Sequence, residues 1–221
     1  MRSNGGGFCT AAILAAALVM TSWRSEMQPL PDIALVGRQR VGKMTMIQLF
    51  QMLCRHSIFA SDLTSSAFHE LHGRTIPTVL FDEAITSGEQ RTRLDLSGST
   101  PESEALLKAL YRCPKVFAFT DLPRHWNPRR PCIVISMHET GRANLHRVTE
   151  PSIQLEAENL RAKLLQFRLE RFDSHLCSKS ISRRPYSFNL DLYESLARSV
   201  TDDDRVRDGL VSIMLQQQLQ C

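Results

Sequence analysis

The sequence predicts an α/β fold, a mainly parallel sheet with helices on both faces. Three observations carry that expectation. The apolar run Ile33–Val36 ends in Gly37 and leads, through Gly42 and Lys43, into a segment with helical spacing, Met44–Leu53. A second short apolar run, Thr78–Phe81, lacks inside–outside alternation and ends in Asp82 and Glu83, the pattern of a strand buried on both faces. Two more β-rich runs, Lys115–Phe119 and Cys132–Ser136, follow at a distance. Strands separated by helical stretches imply a parallel sheet, with ligands at the carboxyl ends of its strands.

The elements can be justified in order. Arg2 and the run Phe8–Met20 resemble the apolar stretch of a signal peptide. The run is too short for a membrane span, which needs about 20 residues. The other reading, taken here, is an Ala-rich helix within residues 1–30 packed on the core, with Gly5–Gly7 as a frayed start. Gly37 to Lys43 then reads GRQRVGK, the G-x-x-x-x-G-K spacing of a phosphate-binding loop. Glycines let backbone N–H groups turn inward around phosphate oxygens, and the next helix points its N-terminal dipole at the anion. Gly37, Arg38, Gln39, Arg40, Val41, Gly42, Lys43, Met44 and Thr45 are the candidate nucleotide-binding residues. Lys43 would reach the outer phosphates. The residue after it should be Ser or Thr to hold magnesium, and it is Met44; Thr45 follows and could stand in. A ligand-free glycine turn between strand and helix is the alternative.

Asp82 and Glu83 close the Thr78–Phe81 strand. Asp82 would hold Mg2+ directly or through water, and Glu83 would polarise an attacking water as general base. Ser61–His72 reads as a helix between the loop helix and this strand. Thr100, Pro101 and Glu102 start another: N-cap, first-turn proline, early acid. Thr120 ends the Lys115–Phe119 strand. Arg129 and Arg130 stand in a Pro- and Arg-rich loop before the Cys132–Ser136 strand, placed to neutralise a γ-phosphate. Pro151–Phe172 is a long helix, Asp173–Pro185 a linker, and Leu190–Gln220 a pair of helices, the second capped by Thr201 or Asp202. The expected division is 1–30, 31–150 and 151–221.

The order of these motifs resembles the P-loop ATPase domain of primase–helicase-like proteins from phages, plasmids and other mobile elements. The resemblance runs from about Cys9 to Asp173 and rests on GRQRVGKMT, PTVLFDEA, CPKVFAFTDLP, NPRRPCIVISM and EAENLRAKLLQFRLERF. It implies an ASCE/AAA+-like P-loop NTPase, a three-layer sandwich on a central parallel sheet with a small helical C-terminal extension. It implies ATP and Mg2+ as cofactors and Lys43 as phosphate ligand. Asp82 becomes the metal ligand, Glu83 the catalytic acid–base, and Thr120 a polar sensor of the γ-phosphate. Arg129 or Arg130 would act across a subunit interface. A homo-oligomeric ring, a partner replication protein and DNA are the implied associates. The chain departs from the pattern at Met44 and in the short, polar segment Ile85–Ser99.

Composition bounds the rest. At 221 residues the chain can bury a core with a helical extension beside it. Its 27 Lys and Arg against 23 Asp and Glu leave a charge of +4, compatible with a nucleic-acid partner without requiring one. The six cysteines include no C-x-x-C pair, so neither a zinc site nor a disulfide framework is indicated, and a reducing cytoplasm suits them. His69 and His72 share a helix face and lack an evident third ligand. Two other function classes stay open: a small GTPase, for which Asp95–Gly98 offers D-x-x-G without a guanine-reading N-K-x-D, and a non-hydrolysing protein that keeps only the fold.

Overall fold

The computed structural model describes residues 5–23, 31–62, 70, 76–82, 101, 104, 109–110, 113–122, 132–139, 147–170, 197 and 203–218. Five strands form one sheet: β1 (Asp32–Val36), β2 (Ser57–Phe59), β3 (Thr78–Phe81), β4 (Lys115–Phe119) and β5 (Cys132–Ser136). Four helices are bounded: α1 (Gly5–Ser22), α2 (Lys43–Leu53), α3 (Pro151–Glu170) and α4 (Asp204–Gln218). The strand order is β2-β3-β4-β1-β5, and every pairing is parallel. The α/β expectation and the parallel sheet are therefore observed.

The burial of each strand follows its place in that order. The inner strands β1 and β3 are buried almost throughout, which is why their sequences run apolar without alternation. The edge strand β5 alternates, and the opposite edge, β2, is half-buried. Ala60, Val79, Phe81, Ala109, Leu110 and Cys113 make one core cluster, with Ile58, Ile76 and Phe117 packed on it. Phe81 stacks on Phe117 with centroids 4.8 Å apart, and Phe117 on Phe119 at 5.8 Å. Ile47 and Phe50 of α2 are fully buried at i and i+3, the spacing that turns one helix stripe inward.

The chain divides into two compact units, residues 28–158 and residues 1–27 with 159–221. In the second unit α1 packs on α4, and the Arg168 guanidinium donates to the Trp23 carbonyl at 2.7 Å. Thr21, mid-way through the last turn of α1, is buried and donates its hydroxyl to the Ala17 carbonyl at 2.7 Å, satisfying itself within the helix. The cap of α4 differs from expectation. Asp203, not Thr201 or Asp202, accepts from the Arg205 N–H at 2.8 Å, because its carboxylate stands where the first free N–H groups of the helix point. The three glycines at 5–7 lie inside α1. Strand β2 was not expected. Of the Ser61–His72 segment, Ser61 and Asp62 belong to a 3-10 turn, Ala60–Asp62, Glu70 is helical, and the rest lies outside the described residues. Pro101, Glu104, Ala109 and Leu110 are helical, as their region was expected to be.

Register fixes what the sheet presents at its carboxyl edge. Val36 pairs with Phe119 and with Ser136, and Phe81 with Phe117. Gly37 then donates its N–H to the Phe119 carbonyl at 3.1 Å, and Met137 donates its N–H to the Val36 carbonyl at 2.7 Å. The turn after β1 is thus clamped between the ends of β4 and β5. A Cβ at Gly37 would collide with the Met137 carbonyl oxygen and stand 3.0 Å from Val41 Cγ2. Backbone cannot yield as a flexible side chain can. Gly37→Ala is expected to destabilise the fold by about 1–3 kcal/mol, read as a lower urea midpoint with an unchanged slope.

Candidate functional site

The candidate site is the turn from Gly37 to Lys43 with the strand ends beside it. Gly42 is the residue before α2 and sits at φ 91°, in the left-handed region. Glycine alone takes that conformation without cost. Arg40 also has a positive φ, 67°, where an arginine costs about 1–2 kcal/mol. The turn thus holds strain at a non-glycine residue, a feature that concentrates where backbone groups must be aimed. Helix α2 carries no side-chain cap, so its first N–H groups are not satisfied by one of the usual capping side chains.

Lys43 is 5% exposed. Its ammonium donates to the Gly37 carbonyl, and to the Arg38 carbonyl at 2.8 Å. The lysine therefore folds back over its own turn and holds the two ends of the loop together. Arg38, Gln39 and Arg40 are exposed, Val41 half-buried, and Met44 and Thr45 exposed at the start of α2.

The other expected residues fall as follows. Asp82 follows β3, half-buried, and Thr120 follows β4, exposed. Both lie at the same carboxyl edge as Gly37. Since β4 separates β1 from β3, Thr120 stands between the turn and Asp82, and Gly37 and Asp82 are two strand spacings apart, about 10 Å. Glu83, Arg129 and Arg130 lie outside the described residues, as do His69, His72 and the Asp95–Gly98 segment.

Position 44 carries no hydroxyl for a divalent cation at this edge. Met44, 44% exposed, offers a soft thioether where a hard cation needs oxygen. Thr45 lies one residue on, about 100° further round the helix. Asp82 supplies a carboxylate, and Asp121 and Glu139 are exposed beyond β4 and β5. No three His, Cys, Asp or Glu side chains among the described residues converge on a metal position.

Two features were missed by sequence reasoning. Met137 braces the turn by donating its N–H to the Val36 carbonyl, and its carbonyl oxygen and methyl line the turn where a Cβ on Gly37 or Gly42 would stand. The signal was the end of the CIVISM run beside the loop strand, but a contact made by main chain has no residue-type signature. The second is Asp32, at the opposite edge of the sheet. It is 5% exposed and accepts from the Lys115 N–H at 3.0 Å and from the Lys115 ammonium at 3.5 Å. That ammonium also donates to the Cys113 carbonyl at 3.0 Å. Asp32 is a structural acid, far along β1 from the turn.

Compared with known proteins, the chain matches no protein-family model and no curated protein. Among the described residues no helix is long and apolar enough to cross a membrane.

The cysteines at 54, 113 and 132 are free thiols. Burial, and then the neighbouring Asp32 carboxylate, push the Cys132 thiol up to about 12. Its folded value lies above its unfolded one, so its contribution to stability is complete below about pH 9 and is lost as pH rises from there towards 12. None of the three should act as a nucleophile or metal ligand near neutrality. In native protein at pH 8 these three should resist a thiol reagent, while all six react in denaturant; peptide mapping of the labelled sites checks this.

Proposed function

We propose that the chain is a P-loop protein that binds ATP at the Gly37–Lys43 turn and hydrolyses it slowly. The observation that carries the reading is the strand order. The turn after β1, Thr120 after β4 and Asp82 after β3 come to one edge, with β4 inserted between the loop strand and the acid strand. That insertion favours the ASCE-like ATPase over the small GTPase, because it puts a polar strand end between turn and acid, where a γ-phosphate sensor is needed. The clamped turn, the left-handed Gly42 and the retracted Lys43 support the same reading.

In this reading the backbone N–H groups of the turn and of the first turn of α2 receive the phosphate oxygens, and Lys43 swings from its carbonyls to the outer phosphates. A water oxygen attacks the γ-phosphorus, the bond to the ADP oxygen breaks, and Glu83 takes the water's proton. Thr120 orients the γ-phosphate. Arg129 or Arg130 offsets the charge that develops there, within the same subunit or from a neighbour in a ring. Magnesium, when bound, neutralises the phosphates. Asp82 would hold it, aided weakly by Thr45. A role in DNA replication or mobile-element maintenance, with DNA or a replication protein as partner, rests on the resemblance of the motifs.

Met44 favours a second reading, a P-loop protein that binds nucleotide without turnover. Phosphate release with ATP and Mg2+, measured with and without single-stranded DNA, separates the two. Wild type should exceed Glu83→Gln, and Met44→Ser should raise the rate about tenfold, equivalent to ~1.4 kcal/mol of better metal placement. Equal, background-level rates for wild type and Glu83→Gln would leave only the second reading.

A further inference from the structure

We infer that Arg38 and Arg40 take the place of the divalent cation in holding the nucleotide, so that this loop binds a nucleoside triphosphate without Mg2+. The inference rests on the reading of the turn as a nucleotide site and extends it to what neutralises the bound tail. It starts from a mismatch. The position that should offer a hydroxyl to the metal is the exposed thioether of Met44, a soft donor poorly matched to a hard cation. With a metal held only by Asp82 and weakly by Thr45, a triphosphate bound here would keep much of its negative charge unless the protein itself supplied cations.

The turn carries them. Arg38 and Arg40 are both exposed and lie within a loop whose ends are tied by Lys43. Among the described residues neither guanidinium forms a hydrogen bond or ion pair; the Arg38 carbonyl accepts from Lys43. Two guanidinium charges equal the charge of one Mg2+, and each presents paired N–H donors that match phosphate oxygens. Their position in the turn itself, rather than on a distant loop, puts them beside the phosphates that the backbone N–H groups would receive. Arg40 occupies a left-handed conformation that glycine would take more readily, so the loop's shape does not itself call for an arginine there. Lysine 43, buried against the turn, supplies the third cation.

The test is calorimetric titration of the full chain with ATP, once in Mg2+ and once in EDTA. Wild type should bind in both, with affinities within about threefold. Arg38→Gln/Arg40→Gln should lose about tenfold per arginine in EDTA and much less in Mg2+, where the metal can compensate. Circular dichroism and a thermal melt matching wild type show that the double variant is folded. Binding by wild type in Mg2+ but not in EDTA would overturn the inference and leave the nucleotide site standing. So would an unchanged affinity of the double variant in EDTA. No binding by wild type in either buffer would instead overturn the nucleotide site itself.

Discussion

Lys43→Met is expected to weaken ATP binding by about a hundredfold or more while leaving the protein folded. The lysine is 5% exposed and its ammonium is held by the Gly37 and Arg38 carbonyls. A nucleotide phosphate would offer it a charged acceptor in place of two neutral ones, and hydrogen bonds between charged groups are the stronger kind. Methionine keeps the length of the side chain and removes the charge. The two carbonyls it leaves lie in a loop whose neighbours are exposed, so water can satisfy them, and the loss of stability should be only about 1–2 kcal/mol. Titration with a fluorescent ATP analogue reads the first effect and urea unfolding the second. A variant that binds as wild type does would place the phosphates away from Lys43.

The largest effect on stability is expected at the other edge of the sheet. Asp32→Ala removes the acceptor for the Lys115 N–H and for its ammonium, whose side chain is 14% exposed against 6% for the aspartate. A buried ion pair contributes little net stability when it is compared with an apolar pair, but breaking one side leaves an uncompensated charge. The orphaned N–H adds its own desolvation penalty. Together these should cost about 3 kcal/mol, moderated because the ammonium keeps the Cys113 carbonyl. Asp32→Asn keeps an acceptor and should cost about half as much. Chemical unfolding of the three proteins gives both differences. Equal stability of Asp32→Ala and wild type would mean that the pair is a surface contact in solution.

Much of the fold was legible because inner strands of a parallel sheet carry a composition of their own. Thr78–Phe81, Lys115–Phe119 and Cys132–Ser136 coincide with the observed strands, each being a short apolar run stopped by a polar residue, Pro or Gly. Helix α3 was legible from Pro151 at its start, and it ends at Glu170, close to the expected Phe172. Strand β2 was not. Ser57-Ile58-Phe59 is three residues long and half-buried at the sheet edge, too short for any period to register. Its existence depends on pairing with β3, which is tertiary information. The cap of α4 was missed by one residue, since Asp202, Asp203 and Asp204 are chemically alike and only backbone direction selects among them.

For the candidate site, the motif spacing indicated which residues belong at the carboxyl edge, and the register places Gly37, Asp82 and Thr120 there. Spacing could not reveal the clamp from Met137 or the retracted pose of Lys43, because both are made with main-chain groups common to every residue. Nor could it give the role of Asp32. An acid opening an apolar run reads as a solvated strand end until its partner, Lys115, is seen 83 residues away.

The central claim is that a triphosphate tail lies between the Gly37–Lys43 turn and the strand end at Asp82. Titration calorimetry of wild-type protein with ATP, and in parallel with GTP, tests it most directly. ATP should give a saturable one-site isotherm, and GTP a weaker one or none. Absence of heat with both nucleotides would contradict it.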